Sequence, residues 1–355
     1  MTNSTERYLA SDLLAFATTL LQRAGLSTDR AGTAAEILLE ADLMGHTTHG
    51  FNLLGPYLGE LESGAMTKDG EPTVVADHSA ALTWDGRYLP GPWLVTQAMD
   101  VAFERIRTNP VVTIVIQRSH HIACLAAYPK RATDKGLFML LTCSDPRAKS
   151  VAPFGGIRPL YTPNPLAVGI PMQGDPIIID ISMSTTTNGL VGRLYNEGKG
   201  EHLPHEWLLD NQGNASDDPA TNYTDPPGTV LPLGGMDSGH KGFALGILVE
   251  ALTSALGGYG RADAPTTWGA SVFLQIIDPD AFGGRDRFMR ETEWFAEAAR
   301  SNPTAPGNPP VRLPGSRALQ QRANYLESGI VLYPSIMPAL AKWADKLGVE
   351  VPKPL

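Results

Sequence analysis

PLGGMDSGHKGFAL, residues 232–245, is glycine-rich and leads into an apolar helix predicted to begin near Lys241. Backbone N–H groups at a helix N-terminus beside a lysine make a site for an anion, so His240, Lys241 and Gly242 are candidate contacts for a phosphate-bearing ligand. The order Gly-His-Lys-Gly lacks the Gly-Lys-Ser/Thr ending of a Walker A loop. No Gly-x-Gly-x-x-Gly occurs anywhere in the chain. An ordinary Rossmann reading therefore loses its main support.

Working outward, the chain changes character near residue 72. Before it, Leu13, Leu14, Ala17, Leu20, Leu21 and Ala24 recur at helical spacing, and Gly25 can close that run. Ser27 or Thr28 can cap a second helix with Ala31, Ala34, Ile37, Leu38 and Ala41 on one face. A third surrounds Tyr57, Leu58 and Leu61 and stops near Gly64. Beyond residue 72, β-branched runs at 111–116, 137–142, 177–181 and 272–277 alternate with amphipathic stretches at 94–107, 125–135 and 241–256. That alternation predicts a sheet covered by helices. Residues 197–230 read as a long polar loop and 302–315 as a second irregular connection, with helical patterns at 317–328 and 335–347. The expectation is an α/β (α+β) chain. Residues 1–75 and 316–355 would form one discontinuous helical domain, and 76–315 a sheet domain.

Composition narrows the partners. The 355 residues are 43% hydrophobic and 18% charged, as in ordinary globular enzymes. A net charge of -9 with no basic cluster speaks against nucleic acid, which needs concentrated Lys and Arg. No stretch reaches the roughly 18 apolar residues of a membrane span, and MTNSTERYLASDLLAF lacks the basic start of a secretory signal. Cys124 and Cys143 lie in apolar segments, which suits free thiols in a reducing compartment. A cytoplasmic protein is expected.

Three stretches could carry chemistry. HTTHG (46–50) lies where a helix ends, so His49 leaves an irregular backbone beside Gly50; a histidine there could instead favour the helix dipole. RSHHIA (118–123) follows an apolar strand, a common active-site position, although one histidine of the pair could simply satisfy turn backbone. In IIIDISMSTTTNG (177–189), Asp180 leaves a buried strand and needs a partner, or else caps the next turn. The hydroxyls behind it suit a ribose or phosphate. A metal-dependent hydrolase or lyase could use His46/His49, His120/His121 and His202/His205 with Asp180. Against it, His46 and His49 have no His-Glu-x-x-His frame and no cysteine ligand nearby in sequence. A non-catalytic binding protein is the third class.

Taken in order, these motifs resemble the second, non-Rossmann malate/L-lactate dehydrogenase family over nearly the whole chain. ADLMGHTTHG (41–50) is similar to its helix end plus Ser-His-Gly, and SHHIA (119–123) to its Asn-Ser-x-His-x-Gly segment. TCSDP (142–146), VAPFGG (151–156) and TPNPLAVGIP (162–171) resemble its Gly-Thr-Asn-Pro-Leu-Ala region. DISMSTTTNG (180–189), LPHEWLLDNQGNASDDP (203–219), the Lys-Gly helix start and VRLPGSR (311–317) each match a further family segment.

The resemblance implies a largely antiparallel or mixed sheet, a nicotinamide cofactor (NAD or NADP), a small carboxylate substrate and a homodimer. The reaction implied is reduction of a 2-oxo acid, or alternatively of a cyclic imino acid. It implies His49 as acid/base, His121 as a second proton-handling histidine, and Ser144, Asp180, Ile181, Ser182, Met183, Ser184, Lys241, Gly315, Ser316 and Arg317 as cofactor contacts. Asp180 would also hold the His49 ring and favour its protonated form. No metal is implied. Thr48 stands where the family has Ser, and Ala123 where it has Gly. Leu53 stands where it has an arginine for the substrate carboxylate. An aliphatic side chain cannot form a bidentate fork, so either another cation, with Arg118 the candidate, takes over or the substrate differs.

Overall fold

The computed structural model describes residues 6–198 and 200–355; residues 1–5 of the expected helical domain lie outside them. The chain opens with helices α1 (Ala10–Arg23), α2 (Thr28–Leu43) and α3 (Leu54–Ser63), then runs through strands β1 (Thr73–Asp77) and β2 (Ala81–Asp85). Helix α4 (Gly91–Arg105), β3 (Val111–Ser119), α5 (Pro129–Thr133), β4 (Phe138–Ser144), β5 (Leu166–Ile170) and β6 (Ile177–Ile181) follow. After α6 (Asn188–Glu197) come the short strands β7 (Leu208–Leu209), β8 (Ala215–Ser216) and β9 (Thr229–Val230). Helix α7 (Gly235–Glu250), β10 (Ala270–Ile277), α8 (Arg285–Arg300), α9 (Ser316–Ser328) and α10 (Ile336–Leu347) complete it. None of the described helices is long and apolar enough to cross a membrane.

The main sheet has the order β1-β2-β3-β10-β4-β5-β6. Every adjacent pair is antiparallel except β2–β3, so the mixed, largely antiparallel sheet is as expected. Strand β10 is central and buried on both faces: consecutive Val272, Phe273 and Leu274 are all buried, and Leu274 pairs with Ile114 on one side and Leu141 on the other.

The chain ends meet. Tyr8 and Ile330 exchange backbone hydrogen bonds of 3.0 and 2.8 Å, α9 packs on α2, and α10 packs on α1 and α3. One apolar cluster nonetheless runs from Leu13, Leu38 and Leu58 through Met99 and Ile114 to Leu274 and Leu340, so helices and sheet share a core. Strand β1 already starts at Thr73, ahead of the expected boundary.

Two readings of the sequence need correction. The stretch 197–230 is no plain loop: β8-β7-β9 form a small sheet in which Leu208 pairs with Ser216 and Val230. Two-residue strands are too short to show a period. Helix α7 starts at Gly235, not near Lys241, because Gly234 at φ +100° and Gly235 at φ +61° turn the chain early.

Candidate active site

A cavity of about 690 Å³ opens where the helical end of the molecule meets the sheet, with His46, His49, His121 and Asp180 in its wall. After α2 ends, the chain turns through Gly45 at φ +84°, and the His49 N–H donates to His46 O at 2.9 Å. Gly50 then passes over buried Asp42, where a Cβ would lie 2.3 Å from Oδ2. The Phe51 N–H donates to that same oxygen at 2.6 Å. Only glycine permits this close approach, and the approach fixes the backbone that carries His49. Burial raises the Asp42 pKa to about 7, against the opposing Phe51 hydrogen bond and the Arg193 charge.

His49 Nδ1 lies 2.8 Å from Thr48 Oγ1. The His121 ring faces it, stacked at 6.1 Å between centroids and 26° between planes. Burial first, then the His46 and Arg193 charges, depress the His49 pKa to about 4. Burial, with His49 and His120 nearby, pushes His121 well below its ordinary value. Both imidazoles are therefore neutral near pH 7. At His121, Nδ1 accepts the Ala123 N–H at 3.2 Å and lies 2.9 Å from Tyr57 Oη, so the neutral ring carries its proton on Nε2. Trp268 packs on the same ring at 4.8 Å. Ala123 sits at φ +59°, in the left-handed region, which costs the alanine roughly 1 kcal/mol.

Asp180 does not hold His49, contrary to expectation. Its Oδ2 accepts the Ala126 N–H at 3.1 Å and the Cys124 thiol at 3.7 Å, and the nearby imidazole is His46. Burial raises its pKa, partly offset by His46. The expected carboxylate–imidazolium pair at His49 is absent because β6 delivers Asp180 to the turn 124–126.

Arg118 is likewise committed elsewhere. It stands one residue before the end of β3 at φ +50° and forks onto Asp85, with Nε at 2.9 Å from Oδ1 and a second, short contact to Oδ2. Arg193 is tied to Thr47 through 2.9 and 2.8 Å hydrogen bonds and stacks on Tyr333. Among the described residues, Arg147 is the one Lys or Arg that lines the cavity, held only by a 3.4 Å contact to Thr266 O. Nothing in its sequence setting marked it. Thr48, Leu53 and Ser182 line the cavity as well. So does the start of α6, where Thr187 caps the Leu190 N–H at 3.1 Å and leaves the Asn188 and Gly189 N–H groups without helical partners. Gly189 lets this end approach Thr48, 3.1 Å from where a Cβ would stand.

Other expected cofactor residues fall outside that cavity. Ser144 is buried and donates to Glu250 at 2.7 Å, beside Arg261. Met183 and Ser184 are buried, and Ser184 donates to Thr186 O at 2.7 Å, so that hydroxyl serves the backbone. Ile181 is exposed. His240 packs edge-on to Phe154, Lys241 is exposed two turns into α7, and Gly242 lies against the Leu233 backbone. Gly315, at φ +85°, passes Ile178 at the start of Ser316 and Arg317 in α9. Nor do the paired histidines converge on one centre. Buried His120 faces Glu60 at 3.3 Å, exposed His202 pairs with Asp217 at 2.9 Å, and His205 packs on Trp207.

A mostly antiparallel sheet joined to a helical end by a histidine-lined cavity defines an α/β enzyme built without a Rossmann turn. The malate/L-lactate dehydrogenase family profile matches residues 9–341. The L-lactate dehydrogenase of Cupriavidus necator is 31% identical, covering 98% of this chain and 97% of that one. The (2R)-3-sulfolactate dehydrogenase (NADP(+)) of Chromohalobacter salexigens is also 31% identical, over 84% of this chain and 86% of its own. Among solved structures, delta1-piperideine-2-carboxylate reductase of Pseudomonas syringae superposes with a TM-score of 0.81 at 26% identity, covering 96% and 100% of the two chains. The chain belongs to the malate/L-lactate dehydrogenase family, and its relatives are oxidoreductases.

Proposed function

We propose that this protein transfers hydride between a nicotinamide dinucleotide and a small 2-hydroxy acid or its 2-oxo form, with His49 moving the proton. The observation that carries the reading is the pair of facing, desolvated imidazoles in the cavity wall. The cavity volume and its mix of aromatic, hydroxyl and free N–H groups fit a nicotinamide ring together with a small acid. When bound, the cofactor supplies the hydride donor or acceptor.

The chain's own groups do the rest. Neutral His49 accepts the proton from the substrate hydroxyl in oxidation and returns it in reduction. His121, with its proton on Nε2, donates a hydrogen bond into the cavity and stabilises the developing oxyanion. The free N–H groups of Asn188 and Gly189, with the Arg147 guanidinium, take the substrate carboxylate in place of the arginine that Leu53 displaces. Trp268 and Leu53 exclude water from the reacting carbon. Outside the cavity, exposed Lys241 and the Gly315–Arg317 turn remain candidates for the far end of the dinucleotide.

A second substrate class, cyclic imino acids, is favoured by the apolar wall of Leu53, Pro163 and Pro165, which suits ring methylenes. A screen of 2-oxo acids and cyclic imines against both NADH and NADPH tests the reading. Cofactor-dependent turnover of at least one is expected, and none across the panel overturns it.

We also infer a homodimer. Helix α7 buries only its small face of Gly239, Gly242, Gly246 and Val249, leaving Met236, Leu245, Ile247 and Leu248 exposed. Light scattering should give twice the chain mass, falling to the monomer in Leu248→Glu.

A further inference from the structure

In the wall of the cavity, His46, Cys124 and Asp180 bring one imidazole nitrogen, one sulfur and one carboxylate oxygen within 4.8 Å of one another. They come from three separate parts of the fold: the turn after α2, the segment after β3 and the end of β6. The sequence offers no cysteine near His46, so this grouping is purely tertiary. All three residues also line the cavity. The proton transfer described above uses neither His46 nor Cys124.

We propose that His46, Cys124 and Asp180 form a binding site for a borderline-soft divalent cation of the zinc type, with its fourth coordination position open to the cavity. Nitrogen, sulfur and oxygen donors together are the set that zinc accepts, in tetrahedral geometry with bonds of about 2.0–2.3 Å. Such bonds place ligand atoms about 3.3–3.8 Å apart. Cys124 Sγ and Asp180 Oδ2 already lie 3.7 Å apart. His46, on a turn that follows Gly45, needs to close by about 1 Å. Binding breaks the Cys124 S–H bond: the sulfur becomes the thiolate ligand, its proton leaves to solvent, and the cation replaces the thiol–carboxylate hydrogen bond. A cation there sits beside His49 and obstructs the cavity, so it acts as an inhibitor and not as a catalyst.

The test uses the full chain with Co²⁺ and Zn²⁺ alone, without cofactor or substrate, so its outcome is separate from that of the redox reading. Co²⁺ should give a thiolate-to-cobalt charge-transfer band at one ion per chain, and Zn²⁺ should displace it. Cys124→Ala should abolish the band, and both Cys124→Ala and His46→Ala should weaken Zn²⁺ binding at least tenfold. Cys143→Ala, which removes the other thiol of the cavity, should leave band and affinity unchanged. Circular dichroism confirms that each variant is folded. Absence of the band in the wild type, its survival in Cys124→Ala, or equal Zn²⁺ affinity in wild type, Cys124→Ala and His46→Ala would each overturn the proposal.

Discussion

The cavity around His49 and the glycine-rich corner that begins α7 both look, in sequence, like sites for a charged ligand, yet they are built in opposite ways. Around His49 the glycine serves the site: Gly50 lets the backbone close over Asp42 and sets the imidazole in a dry wall. At the corner the glycines serve packing. Gly242 meets the Leu233 backbone, where a Cβ would stand 2.4 Å away, and Gly246 meets Tyr161 at 2.7 Å. Phe243 packs inward beside Tyr161, while Met236, Leu245, Ile247 and Leu248 of α7 face outward. Desolvation is strong at the first place, and Lys241 at the second stays in water. Charge and proton chemistry therefore concentrate at the cavity.

The largest expected effect is at His49. His49→Ala should lower turnover by about 10²–10⁴-fold with cofactor affinity near normal, read by steady-state kinetics and cofactor titration. Turnover within threefold of wild type would remove His49 from the mechanism. Next comes Arg147→Ala, which should raise the substrate KM about ten- to a hundredfold, the worth of one charge-assisted hydrogen bond, with a smaller change in kcat. An unchanged KM would leave carboxylate binding to the α6 N-terminus alone.

The pH dependence follows from the sign of the shift. His49 is neutral above about pH 4, so oxidation, which needs the base, should stay flat from pH 8 to 5 on this account and fall towards pH 4. Reduction should rise over that lower range. The same shift makes the His49 ring bind its proton more readily in the unfolded chain between about pH 6.5 and 4. Its contribution to stability, read as wild type against His49→Ala, should therefore fall as pH drops through that window, opposite in sign to that of buried Asp42, raised to about 7. Paired pH–rate profiles and thermal melts check both statements. Smallest is Lys241→Ala at the corner: an exposed charge is worth up to about 1 kcal/mol, so the cofactor KM should rise no more than about fivefold. A larger rise would make the corner equal to the cavity as a binding element.

Much of the fold was legible. The helices carrying Leu13–Leu21, Ala31–Ala41 and Leu58, and the strands 111–116 and 272–277, follow from unbroken periodicity. Strand β5 escaped notice because Gly169 and its short length hide the alternation. Helix α8, where Ala296 alone is buried, escaped because its apolar residues are scattered through charge. At the site, His49 and His121 stood out as turn histidines, and the structure sets them face to face. Arg147 gave no such signal, being an ordinary arginine in a turn. Asp180 lies inside edge strand β6, paired with Ala167, and does not leave a buried strand as read; its neighbour is His46 and not His49.

Residue order by itself determined the periodic elements, the absence of a Rossmann turn, and which side chains could exchange protons. Those depend on spacing and side-chain type within a few residues. Tertiary structure alone decided that Asp180 meets Cys124 and His46 instead of His49, that Arg118 is locked onto Asp85, and that α7 leaves Leu245, Ile247 and Leu248 facing outward. Each is a contact between segments distant in the chain, and the desolvation that sets the charge of His49 exists only once those segments enclose it.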